Sequence, residues 1–175
     1  MKKLLIVLMM AIMVVGCTKP NVQANKPEDK KKNYYEFEVE DESGKKYTNK
    51  DFEGQYLYIK FWTSWCPYCV DGLPALNEIA TSDKFKVISI ISTGYNDEKN
   101  RMDFLKWFKE KKLDNIEIYF DINNKAYSNA GISSFPSQLF INKQGEVMLG
   151  TAGSLPNETI FNVFDQIVGL EGKNE

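Results

Sequence analysis

The sequence predicts an α/β fold: a mixed central sheet flanked by helices on both faces, with a β-hairpin extension at its N-terminal end. Three observations predict it. The stretches "YLYIKFW" (residues 56–62) and "FKVISIIS" (residues 85–92) are almost unbroken runs of β-favouring residues, the composition of strands buried on both faces. Helix-like segments separate successive strands, as in the β-α-β crossovers that create parallel pairs. Near the end, "SQLFI", "NKQG" and "EVMLG" read as strand, turn and strand, so antiparallel pairing must join the parallel core.

The elements follow in order. "YYEFEV" (residues 34–39) alternates aromatic or aliphatic with acidic residues, as a half-buried strand does, and "DESGKKY" is a turn around Gly44; together they open the domain as a hairpin. After residues 56–62 comes "VDGLPALNEIA", with Leu73, Leu76, Ile79 and Ala80 at helical spacing. The strand at 85–92 leads through the polar loop "TGYNDEKN" into the helix "RMDFLKWFKEKK", whose Met102, Leu105, Trp107 and Phe108 form an apolar stripe directed at the core. "IEIYF" is a short strand, and "NNKAYSNAG" a short helix stopped by Gly131, the residue type that tolerates a left-handed cap. The terminal hairpin is followed by "LPNETIFNVFDQIVGL", an amphipathic helix with Pro156 near its first turn.

Ahead of this domain lies a different kind of sequence. "MKKLLIVLMMAIMVVGC" begins with two lysines and carries an apolar run from Leu4 to Val15. A bilayer span needs ~20 such residues, so this shorter run is the hydrophobic region of an export signal. Residues 18–33, "TKPNVQANKPEDKKKN", hold two prolines and five lysines with little apolar surface, the composition of a flexible linker. The expected organisation is a signal over residues 1–17, a linker over 18–33 and one folded domain over 34–175, a length that suits a single core.

Composition excludes several functions. With 22 basic and 24 acidic residues the chain has no field that would gather nucleic acid. It contains no histidine, which removes the usual general base and the commonest metal ligand, so chemistry must fall to cysteines or carboxylates.

"FWTSWCPYC" (residues 61–69) concentrates that chemistry. Cys66 and Cys69 stand three positions apart where a buried strand gives way to a helix, so Cys66 meets the unpaired N–H groups of a helix start. Such a position favours the thiolate, the nucleophilic form, below the free-thiol value of ~8.5. Cys69, one turn on, can attack a mixed disulfide formed at Cys66 and release the reduced product. A structural zinc would need about four ligands, and there is neither a second cysteine pair nor a histidine. A purely structural bridge would close a very short loop and stabilise little. No metal and no cofactor beyond the Cys66–Cys69 dithiol is expected.

On these residues the chain resembles the thioredoxin superfamily. "KFWTSWCPYCVDGLP" is similar to its active-site segment, including Trp65 before the nucleophile and Pro74 in the helix that follows. "SSFPSQLFINKQGEV" resembles the segment whose cis-proline faces the disulfide, which assigns that role to Phe135-Pro136. "VVGC" is similar to the bacterial lipoprotein box, which makes Cys17 a lipid anchor. The combination resembles the TlpA/ResA-like branch of membrane-tethered extracytoplasmic thioredoxins. "SIISTGYNDEKNRMDFLKWF" and "FPSQLFINKQGEV" narrow the likeness to surface thioredoxin-like lipoproteins, and fused thioredoxin domains, that return electrons to extracytoplasmic methionine sulfoxide reductases.

That resemblance implies a monomeric thiol-disulfide oxidoreductase on the outer face of a bacterial membrane, re-reduced by a CcdA/DsbD-type membrane protein. Partners would dock around Trp65, Pro67, Tyr68 and the Phe135-Pro136 loop. The chain departs from the pattern in two places. ResA-like proteins often carry a glutamate three residues after the second cysteine, where this chain has Gly72, preceded by Asp71; thioredoxin has a buried aspartate where this chain has Lys60. Lys60 either points beneath the pair and favours the thiolate or reaches to solvent, and Asp71 is the other candidate modulator. The competing functions are reduction of apocytochrome c thiols, disulfide formation, and a non-catalytic surface role, because similar folds span ~-270 mV for thioredoxin to ~-120 mV for DsbA.

Overall fold

A computed structural model describes residues 35–172. The expected signal over residues 1–17, the linker over 18–33 and the lipidated Cys17 lie outside the described residues.

Among the described residues, seven strands form one sheet. They are β1 (Glu38–Glu40), β2 (Lys46–Thr48), β3 (Leu57–Phe61), β4 (Lys86–Ile91), β5 (Ile118–Asp121), β6 (Ser137–Ile141) and β7 (Val147–Ala152), in the order β2-β1-β5-β4-β3-β6-β7. The helices are α1 (Pro67–Asp71), α2 (Leu73–Ile79), α3 (Arg101–Lys109), α4 (Lys125–Asn129) and α5 (Asn157–Glu171). β3, β4 and β5 pair in parallel through the crossovers, whereas β6 lies antiparallel to β3 and β1 antiparallel to β5.

Because side chains alternate along each strand, the central strands feed two separate cores. Tyr58, Trp62, Val87, Ile91 and Phe140 pack with Leu73 and Leu76 of α2, Phe104 and Phe108 of α3, and Phe164 of α5. Ile59, Phe61, Ile88 and Ile90 face the other way, against Tyr127 of α4, Phe52, and the N-terminal Tyr35 and Phe37. Helices therefore cover both faces, as the sequence predicts.

The structure corrects several boundaries. The first strand, expected over residues 34–39, of which residue 34 lies outside the described residues, is Glu38–Glu40, although Tyr35, Phe37 and Val39 are all buried in alternation with more exposed neighbours. The alternation is real, but the ladders reach only Glu38–Glu40 from β2 and Val39 and Glu40 from β5. Upstream the chain is held by side chains instead, with the Tyr35 hydroxyl donating to the Ala126 carbonyl at 2.8 Å. A 3-10 turn at Asn49–Phe52, which no periodicity predicts, places Phe52 under this segment.

Met102 is the clearest miss in the core. It is 77% exposed, while Phe104, left out of the expected stripe, is fully buried. The buried face of α3 runs through Phe104 and Phe108, four residues apart and stacked at 5.9 Å between ring centres, flanked by Leu105 and Trp107. Met102 lies two residues before Phe104, about 200° around the helix, and so faces away.

Candidate active site

β3 ends at Phe61 and α1 begins at Pro67, so the five intervening residues set the position of the cysteines. Trp62 is fixed from two sides: its indole Nε1 donates to Ser89 Oγ at 2.7 Å, and the Tyr127 hydroxyl donates to its carbonyl at 2.7 Å. Cys66 then caps α1 with extended backbone (φ -84, ψ 112), and Pro67 takes a first-turn position where its missing N–H costs nothing. The helix run breaks at Gly72, ahead of Pro74, and resumes as α2, so the single helix expected here is two.

Cys66 and Cys69 are joined by a disulfide, their Cα atoms 5.2 Å apart. The Cys69 backbone N–H donates to Cys66 Sγ at 3.3 Å, the interaction that would stabilise a thiolate on that sulfur after reduction. The two cysteines are not equivalent. Cys66 retains 5% exposure and its sulfur lies 3.7 Å from the Phe135 carbonyl oxygen, whereas Cys69 has none.

The Phe135-Pro136 peptide is cis and borders the pair, as expected. Phe135 meets Trp65 edge to face with 5.9 Å between ring centres. Trp65 is 45% exposed and Tyr68 75% exposed, an aromatic rim around an almost covered disulfide. Trp65 thus combines a packed edge with an open face. Asp71 is exposed at the end of α1.

Lys60 turns inward. Strand alternation places it on the face shared by Tyr58 and Trp62, and it is only 4% exposed. Its Nζ lies 3.5 Å from where a Cβ would stand on Gly72, beside the carbonyls of Tyr68 and Cys69. The ammonium thus lies beside Gly72, at the junction of α1 and α2, at a distance that a Cβ there would meet as ordinary contact. Burial pushes the Lys60 pKa down to about 8. In the sheet, its register neighbours are Ser89 on β4 and Gln138 on β6, so a polar row crosses an otherwise apolar face. Gln138 donates from Nε2 to the Gly153 carbonyl at 2.9 Å, and its buried Oε1 has no hydrogen-bond partner among the described residues.

Sequence reasoning missed the buried Glu98, which comes from the "TGYNDEKN" loop and bonds to Ser64, two residues before Cys66. Three carboxylic or amide side chains sit in a row there, and nothing in their order marks which one turns inward. Among the described residues no cluster of metal-ligating side chains occurs, and no helix is long and apolar enough to cross a membrane.

A cysteine pair at the end of a parallel central strand, bordered by a cis-proline loop, defines the class: a thioredoxin-like thiol-disulfide oxidoreductase. Comparison with known proteins agrees. The sequence profile of the AhpC/TSA family matches residues 31–149, and the chain belongs to that family. The crystal structure of the pneumococcal exposed lipoprotein thioredoxin from Streptococcus pneumoniae is 32% identical, covers 75% of this chain and 98% of its own, and superimposes with a TM-score of 0.70. Thiol-disulfide oxidoreductase ResA of Bacillus thuringiensis is 27% identical over 71% of this chain and 70% of its own. Thiol:disulfide interchange protein DsbE of Vibrio cholerae is 25% identical over 76% of this chain and 72% of its own.

Proposed function

We propose that the protein is a membrane-tethered extracytoplasmic reductase of protein disulfides, with Cys66 as nucleophile and Cys69 as resolving cysteine. The Cys66 thiolate attacks one sulfur of a partner disulfide, forming a mixed disulfide and expelling the partner's second sulfur as a thiolate. Cys69 then gives up its proton and attacks Cys66, which forms the Cys66–Cys69 bond and releases the partner as a dithiol. Two electrons leave the pair, and a CcdA/DsbD-type membrane donor restores them. No cofactor besides the dithiol takes part.

One observation carries the assignment of roles: Cys66 keeps the exposed edge of the disulfide while Cys69 has none, and the Cys69 N–H aimed at Cys66 Sγ supports it. Trp65, Pro67, Tyr68, Phe135 and Pro136 surround it as the docking rim, and Lys60 lies beneath the helix as a positive charge that favours the thiolate. Lipid on Cys17 would hold the domain at the membrane, with residues 18–33 as tether.

A methionine sulfoxide reductase is the proposed partner. Support comes from the "TGYNDEKN" loop with its "DFLKWF" helix, from the signal ending in "VVGC", and from the 32% identity to an exposed lipoprotein thioredoxin. The test is covalent trapping. Cys69→Ser stalls the reaction at the mixed disulfide, and mass spectrometry of the adduct formed in cells identifies the partner. Recovery of a sulfoxide reductase supports the proposal; recovery of apocytochrome c replaces it with cytochrome maturation.

A further inference from the structure

We infer that Glu98 is a positioning residue for the nucleophile: its carboxylate, balanced by Lys99 through the Ser64 hydroxyl, fixes the backbone that aims Cys66 and sets how readily its sulfur ionises. The inference rests on the assignment of Cys66 as the attacking cysteine.

The backbone between Trp62 and Cys66 has little to hold it from within. Its internal hydrogen bond, from the Cys66 N–H to the Thr63 carbonyl, is long at 3.4 Å. Ser64, midway along, is buried, so its N–H needs an acceptor from elsewhere. Glu98 supplies it. The Ser64 N–H donates to Glu98 Oε2 at 2.5 Å and the Ser64 hydroxyl to Oε1 at 2.6 Å, while the Lys99 N–H donates to Oε1 at 2.7 Å. A carboxylate with 5% exposure thereby grips the backbone two residues before the nucleophile.

Such a buried charge needs compensation. Lys99 Nζ donates to Ser64 Oγ at 2.7 Å, so the hydroxyl accepts from the ammonium and donates to the carboxylate. Lys99 also lies 5.4 Å from the centre of the Trp107 ring. The triad is charge-neutral, and both ends meet Ser64, the ammonium at its hydroxyl and the carboxylate at its hydroxyl and its N–H. The other elements around Cys66 contribute Lys60 from β3, Asp71 at the end of α1 and the exposed Asp97; residues 133–137 and 153–154 carry no charge.

The arrangement has a signature that a filler role lacks. Removing the negative end leaves an unbalanced cation near Cys66, which favours its thiolate; removing the positive end leaves an anion, which opposes it. The two neutralising substitutions must therefore move the nucleophile in opposite directions. Shortening the carboxylate keeps the charge but loses the grip on both Ser64 donors.

The experiment measures the pH profile of iodoacetamide alkylation at Cys66 in a Cys69→Ser background, alongside insulin reduction by each variant with both cysteines intact. Glu98→Gln should raise the thiolate fraction at pH values on the rising limb about threefold, and Lys99→Met should lower it about threefold. Glu98→Asp should leave the profile within about twofold yet slow insulin reduction several-fold. Profiles that coincide with that of the parent, or shift the same way in both neutralised variants, overturn the inference. Should Glu98→Gln fail to fold, Lys99→Met, which alters a partly exposed side chain, decides alone: no fall in thiolate fraction overturns it. Failure of the underlying reading looks different, because the parent protein would then show an ordinary free-thiol profile and insulin reduction would survive Cys66→Ser.

Discussion

Replacing Lys60 by methionine should stabilise the protein at neutral pH while weakening its chemistry. The ammonium is almost wholly buried, and desolvation alone lowers its pKa from 10.5 to about 8. In the unfolded chain the group regains its ordinary value, so between about pH 8 and 10.5 the unfolded state binds more protons and stability rises with pH. Below about pH 8 the full penalty of the buried cation is present; above about 10.5 it is gone. At about 1.4 kcal/mol per pH unit, the difference between 10.5 and about 8 amounts to about 3 kcal/mol. Methionine keeps the apolar stem and drops the charge. Urea unfolding of the oxidised proteins at pH 7 and pH 10 measures the effect: Lys60→Met should be more stable by up to about 3 kcal/mol at pH 7, with most of that advantage lost by pH 10. Its Cys66 thiolate should form less readily, because the positive charge is gone. A variant less stable than the parent at pH 7, or an advantage that does not shrink with pH, would refute the reasoning.

Other substitutions probe the site and its scaffold. Cys66→Ser should abolish insulin-disulfide reduction, and Cys69→Ser should accumulate a mixed disulfide visible by non-reducing electrophoresis. Phe104→Ala should cost about 3 to 5 kcal/mol in urea unfolding, since the ring is fully buried among Trp62, Phe108 and Phe120. Met102→Lys, by contrast, should change stability by less than about 0.5 kcal/mol, as expected of an exposed position. Tyr127→Phe removes the hydroxyl that donates to the carbonyls of Trp62 and Ile90, and should cost about 1 to 3 kcal/mol by the same measurement.

Much of this architecture is legible in the sequence because its signals are local. The continuous strands at residues 56–62 and 85–92 announce the sheet centre, and "SQLFI" coincides with β6. "FWTSWCPYC" carries its chemistry in the spacing, and the cis bond before Pro136 follows from the resemblance of "SSFPSQLFINKQGEV". What local pattern cannot supply is the partner across space. The extent of β1 depends on its ladder partners, β2 beside all three of its residues and β5 beside Val39 and Glu40 alone. On α3, choosing between Met102 and Phe104 requires the rotation of the helix against β4 and β5, because both residues are apolar. Lys60 could face either way as a residue in a strand, and only the fold sets its ammonium beside Gly72, twelve residues away. Glu98 is harder still. It acts on Ser64, thirty-four positions earlier, and only the fold brings the two together.

The direct test of a reducing role is the midpoint potential of the Cys66/Cys69 pair, titrated against glutathione or dithiothreitol redox buffers and read by alkylation. A reductase should lie near the thioredoxin end of the range, toward ~-270 mV; a value above about -150 mV would place the pair with disulfide-forming oxidants and contradict the account.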